Sequence, residues 1–118
     1  MNAPDAMLPL TPISCAVLIA LAGGDLHGYA LMKEVAAQSG GRVSPGAGTL
    51  YAALQRMIEE GLIQESAGGR GKGEDGRRKY YAITRFGRDV ARAEMVRLAR
   101  LIELGAERKL VPAGRPRS

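Results

Sequence analysis

The stretch from Ser44 to Ile63 constrains the fold most. Ser44 followed by Pro45 reads as a helix start, because a serine hydroxyl can accept from a free amide of the first turn and a proline there loses no bond. Leu50, Leu54, Met57 and Ile58 then recur at the spacing of one helical face, and Gly61 is placed to end the helix in a left-handed conformation. The opposite face carries Gly48, Thr49, Tyr51, Ala52, Gln55 and Arg56, which are small, hydrogen-bonding or cationic. No acid occupies the first turns, where the helix dipole would favour one; Glu59 and Glu60 sit at the far end instead. A helix of this kind keeps its open amides and positive end free for a polyanion.

Composition supports the same direction. The 118 residues suit a single domain, and 46% hydrophobic with 25% charged residues suits a globular fold. The net charge of +5 is unevenly spread. Residues 1–67 carry three basic and six acidic side chains, whereas residues 68–118 carry fourteen basic and six acidic ones. Such asymmetry points to nucleic acid or another anionic surface. The lone Cys15 permits no disulfide within the chain and fits a reducing, cytoplasmic setting. Asp5 and the lack of a basic leading segment argue against a signal peptide, and the apolar run from Ile13 to Ala22 is about half a membrane span.

Along the chain, Pro4, Pro9 and Pro12 make residues 1–10 a loose arm. Thr11-Pro12 starts a first helix, apolar nearly all round and so buried on several sides, which Gly23-Gly24 ends. Asp25 is expected to cap a second helix from Leu26 to Ser39, with Ala30, Leu31 and Val35, and Tyr29 beside them, facing inward. His27 is read as structural, since one histidine and one cysteine on separate helices make no zinc site. Leu62–Ser66 and Lys79–Thr84 are strand candidates. The glycine-rich link between them matches G-x-G-x-x-G from Gly71 to Gly76, but a strand rather than a helix follows, so a dinucleotide site is rejected. Arg70, Lys72, Arg77, Arg78 and Lys79 make this link a cationic wing able to lie along phosphates. Thr84 caps a final helix reaching about Leu104. Its stripe of Ala91, Met95, Leu98 and Ile102, flanked by Val90 and Leu101, needs a cover that a second subunit can supply.

Helix, helix, helix, two-stranded ribbon, long helix is the order of a winged helix-turn-helix with an added dimerisation helix, a mainly α fold with a small β ribbon. The expected division is a flexible arm at 1–10, a winged-helix domain at 11–84, a dimerisation helix at 85–110 and a disordered tail at 111–118. The segments Leu26-His-Gly-Tyr-Ala-Leu31, Ser44-Pro-Gly-Ala-Gly-Thr-Leu-Tyr-Ala-Ala-Leu54, Glu60-Gly-Leu-Ile63 and Arg78-Lys-Tyr-Tyr-Ala-Ile-Thr84 resemble the PadR family of bacterial transcriptional regulators, in its short form with one C-terminal helix. The resemblance implies a homodimer that binds a roughly palindromic double-stranded operator and represses transcription. It assigns Tyr29, Ser44, Gly46, Thr49 and Tyr51 to DNA contacts. Gln55 joins Thr49 as a candidate for base edges, and Arg56 and the wing cations are assigned to phosphates. Val17 and Leu21 of the first helix join the final-helix stripe as the expected dimer interface. Ala52 stands where the family often has proline, and the final helix lacks the tryptophan that stacks flat drugs in some relatives. The competing reading is a winged helix that binds protein and not DNA, consistent with the acidic first 67 residues. No catalytic constellation, cofactor motif or membrane segment is apparent, and a small-molecule effector is left unassigned.

Overall fold

The computed structural model describes residues 3–42, 44–67 and 79–111. Among these residues four α-helices, α1 (Pro12–Ala22), α2 (Gly28–Gln38), α3 (Ala47–Glu59) and α4 (Arg85–Glu107), accompany three short strands, β1 (Leu26–His27), β2 (Ile63–Ser66) and β3 (Tyr80–Ile83). The strands form one antiparallel sheet in the order β1-β3-β2. This is a winged helix-turn-helix carrying a long final helix.

The α1 helix lies at the centre, against α2, α3, α4 and β3. Its Thr11 cap is the expected one: Thr11 Oγ1 accepts from the Ser14 amide at 3.1 Å, with Pro12 at the first helical position. Val17, Leu18 and Leu21 are fully buried there with Leu31, Val35, Leu50, Leu54, Met57, Leu62, Ile63 and Val90. Residues 3–10, read from the sequence as a loose arm, instead dock. Pro4–Met7 forms a 3-10 turn beside α4, and Met7, Leu8 and Leu10 pack on the core. Apolar side chains next to the prolines supply the reason.

The α2 helix starts at Gly28, not Leu26, because Leu26 and His27 pair with Tyr81 and Tyr80 as a third strand. The expected two-stranded ribbon is therefore three-stranded. The cap is also different: His27 Nδ1 accepts from the Ala30 amide at 3.3 Å, while Asp25 Oδ2 accepts from the Ser66 hydroxyl at 2.9 Å. Tyr29 faces outward, not inward.

The α3 helix begins at Ala47 with Gly46 as an extended cap that offers no side-chain bond, so Ser44 and Pro45 precede the helix. Its buried face is Leu50, Ala53, Leu54 and Met57, with Ile58 half-buried. Gly61, at φ +80°, stops it as expected. The Leu62 amide donates to Met57 O at 2.9 Å and the Gly61 amide to Ile58 O at 3.0 Å, the paired bonds of a Schellman end.

That end is fastened to α4. The Thr84 hydroxyl donates to Gly61 O at 2.6 Å, and Thr84 Oγ1 accepts from the Gly87 amide at 2.9 Å. The Thr84 amide donates to Leu62 O at 3.1 Å. Gly87 is buried against the Leu62 carbonyl. Along α4 the buried positions are Gly87, Val90 and Glu94; from Ala99 onward most residues are exposed.

Candidate nucleic-acid interface

The α3 helix turns its core stripe inward and leaves Gly48, Thr49, Tyr51, Ala52, Gln55 and Arg56 exposed. Its first turn holds no acid, and its Gly46 cap offers no side-chain bond to the first amides. Ser44 and Gly46 are exposed just ahead of it. On α2, Tyr29 is 62% exposed, with the Lys33 ammonium 5.2 Å from its ring centroid. Gln55 Nε2 is 3.5 Å from Glu59 Oε2, a reach long enough to leave the amide available elsewhere. The structure thus brings Tyr29, Ser44, Gly46, Thr49, Tyr51, Gln55 and Arg56 to exposed positions on α2, on α3 and just ahead of α3. Of the wing cations, Lys79 is exposed, with its ammonium 3.4 Å from Glu65 Oε2; Arg70, Lys72, Arg77 and Arg78 lie outside the described residues.

A cleft of about 410 Å³ opens beside this face, lined by His27, Gly28, Tyr29, Tyr51, Lys79 and Tyr81. Gly28 and Tyr81 are not among the site residues expected from the sequence. The end of the Tyr51 ring lies against Gly28, and a Cβ there would overlap the Tyr51 hydroxyl. Tyr81 is 4% exposed, and burial pushes its phenol above the ordinary range. Strand alternation is the available signal, since Tyr80 and Tyr81 must point to opposite faces.

Three residues expected at a dimer interface have no surface to give. Val17, Leu21 and Val90 are at most 1% exposed within the chain's own core. Ala91 and Leu98 are half-buried, while Met95, Leu101 and Ile102 are exposed, as are Val96 and Ile19, which lie outside the stripe expected from the sequence. Next to them Glu94 is 2% exposed, and Arg97 grips it in a fork: Nε to Oε1 at 2.7 Å and Nη2 to Oε2 at 2.9 Å. The Leu10 amide also donates to Glu94 Oε2, at 3.3 Å. The Arg97 bonds, helped by Leu10, hold the Glu94 carboxyl below its ordinary range despite burial. Cys15 is half-buried, and burial followed by the Glu94 charge raises its thiol. Among the described residues no group of three His, Cys, Asp or Glu could hold a metal, and no helix is long and apolar enough to cross a membrane.

The fold and the exposed α3 face define a winged-helix protein of the regulator type. Residues 17–93 match the model of the transcriptional regulator PadR-like family, and the chain belongs to that family. It is 39% identical over 85 residues to an uncharacterised 37.1 kDa protein in a Streptomyces fradiae transposon, an alignment covering 72% of this chain and 22% of that protein. The chain thus spans about a fifth of that relative's length. A PadR family transcription regulator from Clostridium difficile is 26% identical, with a TM-score of 0.70 over 82% of this chain and 97% of the other. A transcriptional regulator from Clostridium thermocellum shares the fold at 22% identity and a TM-score of 0.67, over 91% and 97% of the two chains. Bacillus subtilis PadR, solved with operator DNA, does so at 23% identity and a TM-score of 0.61, over 75% of this chain and 48% of that one.

Proposed function

We propose that this chain is a cytoplasmic transcriptional repressor that binds a pseudo-palindromic operator in double-stranded DNA as a homodimer and performs no catalysis. One observation carries the reading. The exposed face of α3 presents Thr49, Tyr51, Gln55 and Arg56 with no acid in the first turn. That is the donor set a helix needs in a major groove. Thr49 and Gln55 read base edges; Ser44, Tyr29, Tyr51, Arg56 and the wing cations hold phosphates and set register. The operator complex of Bacillus subtilis PadR, a relative in fold, supports the same use of the domain. A second copy covers Met95, Leu101 and Ile102, which α4 leaves exposed in a single chain. Burying such side chains contributes roughly 1.5–3 kcal/mol each before entropy is subtracted.

Selection of bound duplexes from a random pool tests this directly. A two-fold symmetric motif with half-site centres about 10 base pairs apart is expected. Titration of the selected and a scrambled duplex then separates the roles. Gln55→Ala should alter sequence preference, whereas Arg56→Ala should weaken both duplexes alike and reduce the salt slope. Recovery of no motif, or equal binding of selected and scrambled duplexes, refutes the reading.

A further inference from the structure

We propose that the cleft between the start of α2, the exposed face of α3 and β3 seats one phosphate of the DNA backbone, with the Tyr81 hydroxyl donating to it from the cleft floor. This deepens the DNA-binding reading above and depends on it. Tyr81 lies on β3, the central strand, and is 4% exposed. No described residue bonds its hydroxyl, and since no fully buried side-chain oxygen among the described residues lacks a partner, this oxygen opens on the cleft that Tyr81 lines. Desolvation holds the phenol in its protonated form, so at neutral pH it is a donor.

The surrounding groups suit a tetrahedral anion. The Lys79 ammonium and the Tyr29 and Tyr51 side chains share the cleft with Tyr81. Gly28 lets the Tyr51 hydroxyl enter, because any Cβ there would occupy its place. Among the described residues a carboxylate opposes the site: Glu65 lies across from Tyr81 in the β2–β3 register and holds Lys79 at 3.4 Å. A phosphate must compete with it for that ammonium. Since the cleft is lined from both α3 and β3, a backbone running from the groove-facing helix toward Lys79 passes over it.

Tyr81→Phe removes a single oxygen and keeps the ring in the core. Its melting temperature should match wild type. Its affinity for the selected duplex should fall about tenfold, the loss of one hydrogen bond to a charged acceptor. The salt slope should not change, because no charge is removed. Lys79→Gln should lower the slope by about one, and Glu65→Gln should tighten binding about two- to threefold. Single methylphosphonate substitutions in the duplex then locate the contact: at one phosphate per half-site, Tyr81→Phe should add no further loss. Wild-type binding with Tyr81→Phe unimpaired, or additive losses at every phosphate, overturns the seat and leaves the DNA reading standing. A wild-type protein indifferent to duplex overturns both. Inorganic phosphate that shifts the Tyr81 ring resonances of carbon-13 tyrosine-labelled protein, while Tyr81→Phe binds duplex normally, assigns the cleft to a free anion and overturns the backbone occupant.

Discussion

Gly87→Ala should unfold this protein more readily, although the same exchange in an ordinary helix stabilises. Alanine is favoured over glycine inside a helix by about 0.8–1 kcal/mol. At Gly87, however, the new Cβ would overlap the Leu62 carbonyl and crowd Ile83 Cγ1 at 3.1 Å. A carbonyl is backbone and cannot rotate aside. The start of α4 must therefore retreat, stretching the Thr84 bonds to Gly61 O and Leu62 O. Overpacking costs about 1–3 kcal/mol and each of the two strained hydrogen bonds about 1 more, so the net loss is about 2–4 kcal/mol after the helix-propensity gain. For a domain of this size that lowers the melting temperature by roughly 10–15 °C. Gly48→Ala is the internal control: it sits in α3, where an alanine Cβ would meet nothing within 4 Å, and should raise the melting temperature by a few degrees. Thermal melts followed by circular dichroism measure both. If Gly87→Ala melts at or above wild type, the close approach of α4 to Leu62 does not exist as described.

Three further outcomes can be measured. Glu94, depressed below the ordinary carboxylate range by Arg97 and Leu10, stabilises the fold above that range, and the contribution is lost as pH falls through its lowered value. The urea midpoint of wild type minus that of Glu94→Gln should therefore be positive at neutral pH and shrink in acid; a difference that widens in acid contradicts this. His27→Ala removes the α2 cap and should cost about 1 kcal/mol. His27→Asn should recover part of that, since asparagine caps but cannot replace the ring set edge-on to Tyr80 at 5.4 Å; full recovery in chemical denaturation would assign nothing to the ring pair. Met95→Glu with Ile102→Glu should convert a sedimenting dimer to a monomer with an unchanged helical spectrum, and a double variant that still sediments as a dimer places the interface elsewhere.

What could be read from the sequence was local. The Thr11-Pro12 and Thr84 caps and the Gly61 stop act over a few residues, and the side chains responsible sit in the segment they terminate. The β1 strand could not be read this way, because Leu26 and His27 are extended only through pairing with Tyr81 and Tyr80 far along the chain. The side of α4 that meets the chain's own core escaped for a different reason. Counting apolar residues marks Ala91, Met95, Leu98 and Ile102, the face expected to meet a second copy, whereas the line buried within the chain is Gly87, Val90 and Glu94. Apolar counting is blind to a glycine buried for its lack of side chain and to a glutamate buried because Arg97 pairs with it. The same counting made Val17 and Leu21 candidates for an interface when α1 spends them on its own core. At the candidate DNA face, exposure of Thr49, Gln55 and Arg56 followed from the α3 period, but the burial of Tyr81 required the sheet.

The two informative glycines share a role. Gly28 admits Tyr51, which projects from the first half of α3. Gly87 admits the Leu62 carbonyl, just past the end of α3. Both ends of α3 are thus located by close approach to backbone, one against the start of α2 and one against the start of α4. Side chains in a packed core can exchange rotamers; a carbonyl held by the Thr84 amide at 3.1 Å has far less freedom. The angle between α3 and α4 is therefore fixed where the chain has least slack. If α4 joins two copies, that angle sets the distance between their two α3 helices, and half-site spacing becomes a property of the Gly61–Leu62 and Thr84–Gly87 joint and not of the residues that touch DNA.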